Sequence, residues 1–282
     1  MNVQSVDDPN TSVREIAFRT RGTVMGPITR LVTPSEVGEM IKPFVFLDAF
    51  DTNPNPPREI GFHPHSGIAT VSLLFQGKFK YMETSGTEGV LDGGSVEWMR
   101  ASKGVWHGGI SYGEENVQGY QMWVALPPEL EVAECEAFYC SAEKISADGP
   151  ARVILGEYGN AVSVIPAPPG MNYLDVQLKA GEQWTYHPPK GHTVGWLTFQ
   201  KGSLRVPGVV EAGELVVFEA TEESIHIEAI DDTRFVLGSA VKHPHDLMIG
   251  RNSVHTTAEA LAEGQAEIQR IGETLRAAGK VD

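Results

Sequence analysis

The chain of 282 residues is 41% hydrophobic and 21% charged, the composition of a globular protein with a sizeable apolar core. Its formal net charge of −15 repels phosphate backbones and argues against direct nucleic-acid binding. No apolar run is long enough to span a bilayer, and Met1–Asp8 lacks the basic-then-apolar layout of a signal peptide, so a cytoplasmic location without membrane contact is expected.

Residues 1–12 are polar and read as disordered. Val13–Phe18 alternates as a strand, and Arg21–Thr33 reads as a loop and a second strand, punctuated by Gly22 and Gly26-Pro27. Pro43–Phe50 is an apolar strand carrying one acid, Asp48, and Asp51–Arg58 is a proline-rich loop. A strand bearing His63 and His65 follows and continues through Ile68–Phe75. Gln76-Gly77 turns the chain into Lys78–Glu83, whose alternation of charged and apolar residues suits a half-buried antiparallel strand. Ser95–Met99 and Gly119–Leu126 are further strands, separated by the turns at Asp92–Gly94 and Ala101–Gly104. Turn signals at such short intervals point to an all-β sandwich or barrel.

Glu129–Pro150 is acidic and less periodic, and reads as a connection with a strand-like patch at Ala137–Cys140. Its cysteines, Cys135 and Cys140, are expected to be free thiols in a reducing compartment. From Arg152 onward the β rhythm repeats. Leu74–Gly77 has its echo in Thr198–Gly202, and Leu91–Gly94 in Val210–Gly213, the marks of a duplicated β unit. The tail differs. Thr256-Thr257 caps a helix whose apolar positions Leu261, Ile268, Ile271 and Leu275 share one face, and Gly279 ends it.

The chemistry concentrates in three histidines. His63 and His65 stand two apart in extended chain, so both imidazoles point to one face and can share a metal ion. His107 follows in Gly104–Gly109, and spacing alone leaves open whether it meets the pair. A second His-x-His, His243-Pro-His245, lacks a histidine partner at motif spacing, and His187 and His192 flank Pro188-Pro189 too far apart for such a motif. Phe46, Asp48, Phe50, Met122 and Trp123 are candidates for a pocket lining or for ordinary core. Asp48, an acid in an apolar strand, needs a partner, and an imidazole N–H would serve.

His63-Pro-His65 with Gly67, Thr70-Val71, Leu74 and Gly77 resembles the first metal motif of the pirin family, within the cupin superfamily. Trp98-Met99, Ala101, Gly104 and His107 resemble its second motif. Pro43-Phe44, Leu47-Asp48, Gly119, Gln121 and Trp123-Val124 match as well, and Tyr173–Asp175, Leu178, Gly181 and Gly202 carry a weaker match in the second half. The resemblance implies an all-β chain of two cupin-type β-barrel (jelly-roll) domains with a C-terminal α-helix. Residues 1–135 would form the metal-site domain, 136–150 the connection, 151–240 a cupin-like domain without metal, and 241–282 the tail. It also implies one divalent metal, Fe(II) first and Ni, Cu, Mn or Zn as alternatives, on three His and one Glu of the first domain. The three histidines carry over to His63, His65 and His107. The glutamate does not, because Gly109 stands two residues after the third His, and the family's acid four residues after the second His is Ala69 here. Glu97, Glu114 and Glu115 are acids near in the chain, with no spacing that assigns any of them to the metal.

Two functions follow from the resemblance. In one, the centre is an oxygenase of the quercetin 2,3-dioxygenase type, acting on a flavonol or enediol-like small molecule, with no catalytic residue assigned beyond the metal ligands. In the other, the chain is a non-enzymatic regulatory protein whose acidic surface meets a protein partner and whose metal is weak or missing.

Overall fold

The computed structural model describes residues 13–281; the stretch 1–12, read above as disordered, lies outside the described residues. Two seven-stranded antiparallel sheets and two four-stranded sheets account for most of the chain. One seven-stranded sheet runs, in spatial order, through Glu136–Cys140, Val96–Arg100, Ile68–Gln76, Val117–Ala125, Phe44–Thr52, Ile28–Val32 and Thr23–Met25. Its counterpart runs through Ile16–Thr20, Leu215–Phe218, Val194–Phe199, Thr233–Ala240, Met171–Leu178, Ala151–Leu155 and Ala147–Asp148. Each large sheet closes against one small sheet, giving the two barrels that the duplicated turns announce. Gly77 and Gly202 turn the chain from the large sheet into the small one in their respective halves, at φ of 85° and 95°, a region that side-chain-bearing residues avoid.

The two large sheets face each other. Val71, Trp98, Tyr120 and Val124 from the first half pack with Ile154, Tyr173, Trp196 and Val236 from the second in one apolar core. Buried Asp175 accepts from Arg152 at 2.7 Å and from Arg234 at 2.7 and 2.8 Å, and the Arg234 guanidinium lies 3.8 Å from the Phe75 ring centroid. The halves are therefore joined by a desolvated core rimmed with satisfied charge.

Three features depart from the linear reading. The first strand, Ile16–Thr20, pairs with Leu215–Phe218 in the second half's sheet, across the boundary expected at residue 135. The strand-like patch at Ala137–Cys140 is a true strand, Glu136–Cys140, and it occupies the matching edge of the first sheet beside Val96–Arg100. The single strand expected from His63 to Phe75 is two strands, Arg58–His65 and Ile68–Gln76. Gly67, at φ 74°, turns the chain from the small sheet into the large one between them.

The C-terminal segment returns to the first barrel. The hairpin Met248–Gly250/Ser253–His255 touches Ser66 through a parallel bridge at Ser253. The helix Ala258–Ala277 starts at Thr257, whose hydroxyl accepts from the Ala260 amide at 3.1 Å. It packs on the barrel through Ala260, Gly264, Ile268, Gly272 and Leu275, while Leu261 and Ile271, expected on that face, are only half-buried. Glycines serve here because the barrel comes too close for a side chain. A Cβ at Gly272 would stand 2.7 Å from the Trp106 ring, and Trp106 Nε1 donates to the Ile268 carbonyl at 2.7 Å. No helix of the described residues is long and apolar enough to cross a membrane.

Candidate metal centre

Antiparallel pairing sets His107 directly opposite His63 and Val105 opposite His65. Alternation then turns all three imidazoles inward. Their ring centroids form a near-equilateral triangle with sides of 4.5, 5.0 and 5.0 Å. One nitrogen from each lies within 4.8 Å of the other two, a group that could hold a metal ion.

The second ring nitrogen of two of them is tied back. His63 Nδ1 donates to the Gly61 carbonyl at 2.9 Å, and His65 Nδ1 donates to the Asn252 carbonyl at 3.1 Å. With the proton on Nδ1, each presents a bare Nε2 to the centre. His65 Nε2 is buried without a hydrogen-bond partner, and His63 Nε2 lies 3.0 Å from His107 Nε2. Burial pushes all three below the ordinary imidazole range, His65 to about 3 and His107 well down, so they are neutral near pH 7. Neutral nitrogens converging on one point, one of them orphaned, fit a transition-metal ion. Two nitrogens bound to one ion at ~2.1 Å and a right angle stand ~3.0 Å apart.

The missing fourth ligand has a structural counterpart. A Cβ at Gly109 would meet the Phe79 ring at 2.4 Å and the Lys80 carbonyl oxygen at 2.3 Å. Phe79 thus covers the place where a side chain from residue 109 would enter, and strand backbone closes it from the other side. No carboxylate fits there without moving a paired strand.

A carboxyl does enter the pocket from elsewhere. Glu97 is buried on Val96–Arg100, with Oε2 accepting from Ser72 at 2.7 Å and Oε1 accepting from Tyr139 at 3.4 Å. Oε1 is 4.0 Å from His107 Nδ1, too long for a hydrogen bond. Burial raises its pKa to about 7 against the pull of the Ser72 hydroxyl, with the Glu83 charge adding to the rise. The sequence named Glu97 only as one acid among three. Its signal is a carboxylate inside the apolar run Val96–Met99. Glu114 and Glu115 are exposed.

The same reasoning applied to Asp48 finds a different partner. Asp48 takes both Arg30 nitrogens at 2.9 Å, not an imidazole, and Arg30 lies 4.3 Å from the Phe46 ring centroid. Asp48 and Phe50 line the cavity, as expected of candidates. Phe46 and Trp123 stack at 4.1 Å in the core, and Met122 is fully buried. Trp123 still serves the site, standing edge-on to His65 with centroids 4.9 Å apart. The cavity beside His63 and His107 is about 130 Å³, with Leu74, Phe79, Glu97 and Gln121 on its walls and exposed Arg58 and Ile60 at its rim.

Of the other histidines the sequence raised, His245 is exposed and three have hydrogen-bond partners. His243 Nε2 bonds the Leu126 carbonyl at 3.2 Å, His187 bonds Ser224 at 2.7 Å, and His192 bonds Ser239 at 2.9 Å. The sequence did not single out His255. Its Nε2 is 3.0 Å from Ser66 Oγ, and its Nδ1 is 3.6 Å from Glu131 Oε2. These are the residue types of a nucleophilic triad. All three are shut away from solvent, none lines the cavity, and Ser66 Oγ donates to Ser253 Oγ at 2.8 Å. They fasten the tail beneath His65. Cys135 and Cys140 are free.

Comparison with known proteins agrees with this architecture. The pirin family model matches residues 26–124. A pirin-like protein of Caulobacter vibrioides is 30% identical over 221 residues, covering 74% of this chain and 79% of that one. The crystal structure of a quercetin 2,3-dioxygenase from Acinetobacter baumannii superposes with a TM-score of 0.85 at 22% identity, over 92% of this chain and 98% of that one. A bacterial pirin from Escherichia coli in complex with nickel(II) superposes with a TM-score of 0.62 at 17% identity, over 82% and 96%. With two facing barrels, a three-histidine cluster in the first and this degree of relatedness, the chain belongs to the pirin family.

Proposed function

We propose that this chain is a metal protein with oxygenase-type chemistry on a small oxygen-bearing ligand, held at His63, His65 and His107, with Fe(II) as the expected ion. The observation that carries the reading is the convergence of three neutral Nε2 atoms, one of them orphaned and two fixed by Nδ1 donation to backbone carbonyls. Two neighbours in fold add support: one is a quercetin 2,3-dioxygenase, and the other is a pirin that binds nickel(II). A divalent ion at such a centre supplies Lewis acidity toward a ligand hydroxyl and redox chemistry toward dioxygen.

The chain's own residues divide the rest of the work. Gly61 and Asn252 fix the tautomers of His63 and His65 through their carbonyls. Ser72 and Tyr139 hold the Glu97 carboxyl in the cavity wall beside His107, where a proton leaving the ligand can be taken up at a carboxyl oxygen. Leu74, Phe79 and Val117 keep water from the site.

The test is elemental analysis of untagged protein, followed by oxygen uptake on iron-loaded protein with a panel of enediols and flavonols. Near-stoichiometric metal and uptake above a His107→Ala control are expected. Metal-free protein after reloading would sink the reading. It would favour instead a partner-binding role for the acidic surface, for which the net charge of −15 is the supporting observation.

A further inference from the structure

Phe79 is the largest departure of this pocket from a four-ligand centre. Its ring lies against Gly109, filling the entry of a fourth ligand and standing as a wall of the cavity. Two consequences follow. The first is charge. Three neutral imidazoles leave a divalent ion with its full charge of about +2, where a ligating carboxylate would have halved it. None of the three ligating side chains offsets that charge, so the centre favours a ligand that brings negative charge of its own. The second is space. The cavity of about 130 Å³ is close to the ~150 Å³ of an apolar cavity that binds benzene. Its walls of Phe50, Leu74, Phe79 and Val117 suit an aromatic or enolic ring, while Glu97, held by Ser72, stands beside His107 and the Asp48 carboxylate is paired with Arg30.

We infer that Phe79 is the specificity-determining residue of this site, and that the site takes a single six-membered ring bearing two adjacent ionisable oxygens in preference to a multi-ring flavonol. This rests on the proposed three-histidine metal centre. The oxygens face the ion and bring the negative charge that residue 109 does not supply. The ring fills the enclosed space, and any substituent on the far side must pass Arg58 and Ile60 at the rim. Phe79 is half-buried and belongs to a small apolar cluster with Leu74, Tyr81 and Val117, so trimming it lengthens the cavity.

The experiment has two stages, so that the two ideas can fail separately. Metal content is measured first, in the full-length protein and in Phe79→Ala and Phe79→Leu. Each metal-loaded protein is then titrated with 4-nitrocatechol and with quercetin, following the change in ligand absorption on coordination. The expected result is metal-dependent binding of 4-nitrocatechol at least tenfold tighter than quercetin in the wild type. The gap should narrow severalfold in Phe79→Ala and less in Phe79→Leu, the variant that keeps more of the packing. Metal uptake with quercetin binding as tightly as 4-nitrocatechol, or a ratio unmoved in both variants, overturns the inference and leaves the metal centre standing. Absence of metal from all three proteins brings down the proposed function and this inference with it.

Discussion

In the small sheet of the second barrel, strand Gln183–Tyr186 holds the position that Arg58–His65 holds in the first, yet it carries Trp184 and Tyr186 where the other carries His63 and His65. Ile225 and Ile227 stand across from Tyr186 and Trp184. Trp184 Nε1 donates to Tyr158 at 2.8 Å, and Tyr186 is satisfied by Asn172 at 3.0 Å and Ser239 at 2.6 Å. The interior is packed by Leu197, Phe199, Leu204 and Phe235. In the first barrel the equivalent space holds a cavity, an orphaned His65 Nε2 and a buried carboxyl. One plan thus gives a closed apolar barrel and an open polar one. The difference teaches where stability and function are divided, since a site with unmatched polar groups can be held in place by a neighbour whose corresponding strand is packed and hydrogen-bonded.

The sharpest test of that division is His63→Ala/His65→Ala. Metal content should fall to less than a tenth of wild type, by elemental analysis. Near-UV circular dichroism should stay native, because neither histidine belongs to the apolar cores. Trp184→Ala is the mirror experiment. It empties a well-packed position and should cost about 3–5 kcal/mol in urea unfolding, while the folded fraction keeps its metal. If Trp184→Ala loses metal at unchanged stability, the division of labour is wrong.

How much of this was legible in the sequence depends on the range of the interaction. The glycine turns at Gly77, Gly94, Gly202 and Gly213 all have positive φ and were marked by residue type alone. The inward face shared by His63 and His65 followed from a period of two. By contrast, nothing in Ile16–Thr20 says that it pairs with residues two hundred positions away. Glu97 and Asp48 looked alike as acids in apolar strands, and only the neighbouring strands made one an Arg30 partner and the other a cavity wall. Gly109 read as a missing ligand, and its reason, the Phe79 ring, lies across a strand pair. The tail was legible as a capped helix but not as the support of His65.

That support gives the next, smaller effect. Burial holds His255 neutral, with a pKa of about 4 against an ordinary 6.5. As pH falls below 6.5 the unfolded chain takes up this proton before the folded one, so stability present above 6.5 is lost on the way down to 4. The full swing is on the order of 3 kcal/mol. In metal-free protein, the drop in unfolding free energy between pH 7 and pH 5 should therefore be smaller in His255→Gln than in wild type. Equal slopes would show that His255 is not held neutral by the closed tail.

The smallest effect tests the contact between tail and metal centre. Asn252 sits at φ 61°, and in that conformation its carbonyl oxygen meets His65 Nδ1 at 3.1 Å. Asparagine tolerates the left-handed region and glycine tolerates it better, whereas a β-branched residue is strained there by roughly 1–2 kcal/mol. Asn252→Gly should leave both stability and metal affinity near wild type. Asn252→Val should lose about 1 kcal/mol and, by turning the carbonyl from His65, weaken metal binding roughly tenfold, the cost typical of losing a ligand's outer hydrogen bond. The second barrel offers the control, because the hairpin and helix of the tail pack on strands of the first barrel. If Asn252→Val weakens folding and leaves metal affinity unchanged, the His65 tautomer is fixed by packing against Trp123 and not by the hairpin.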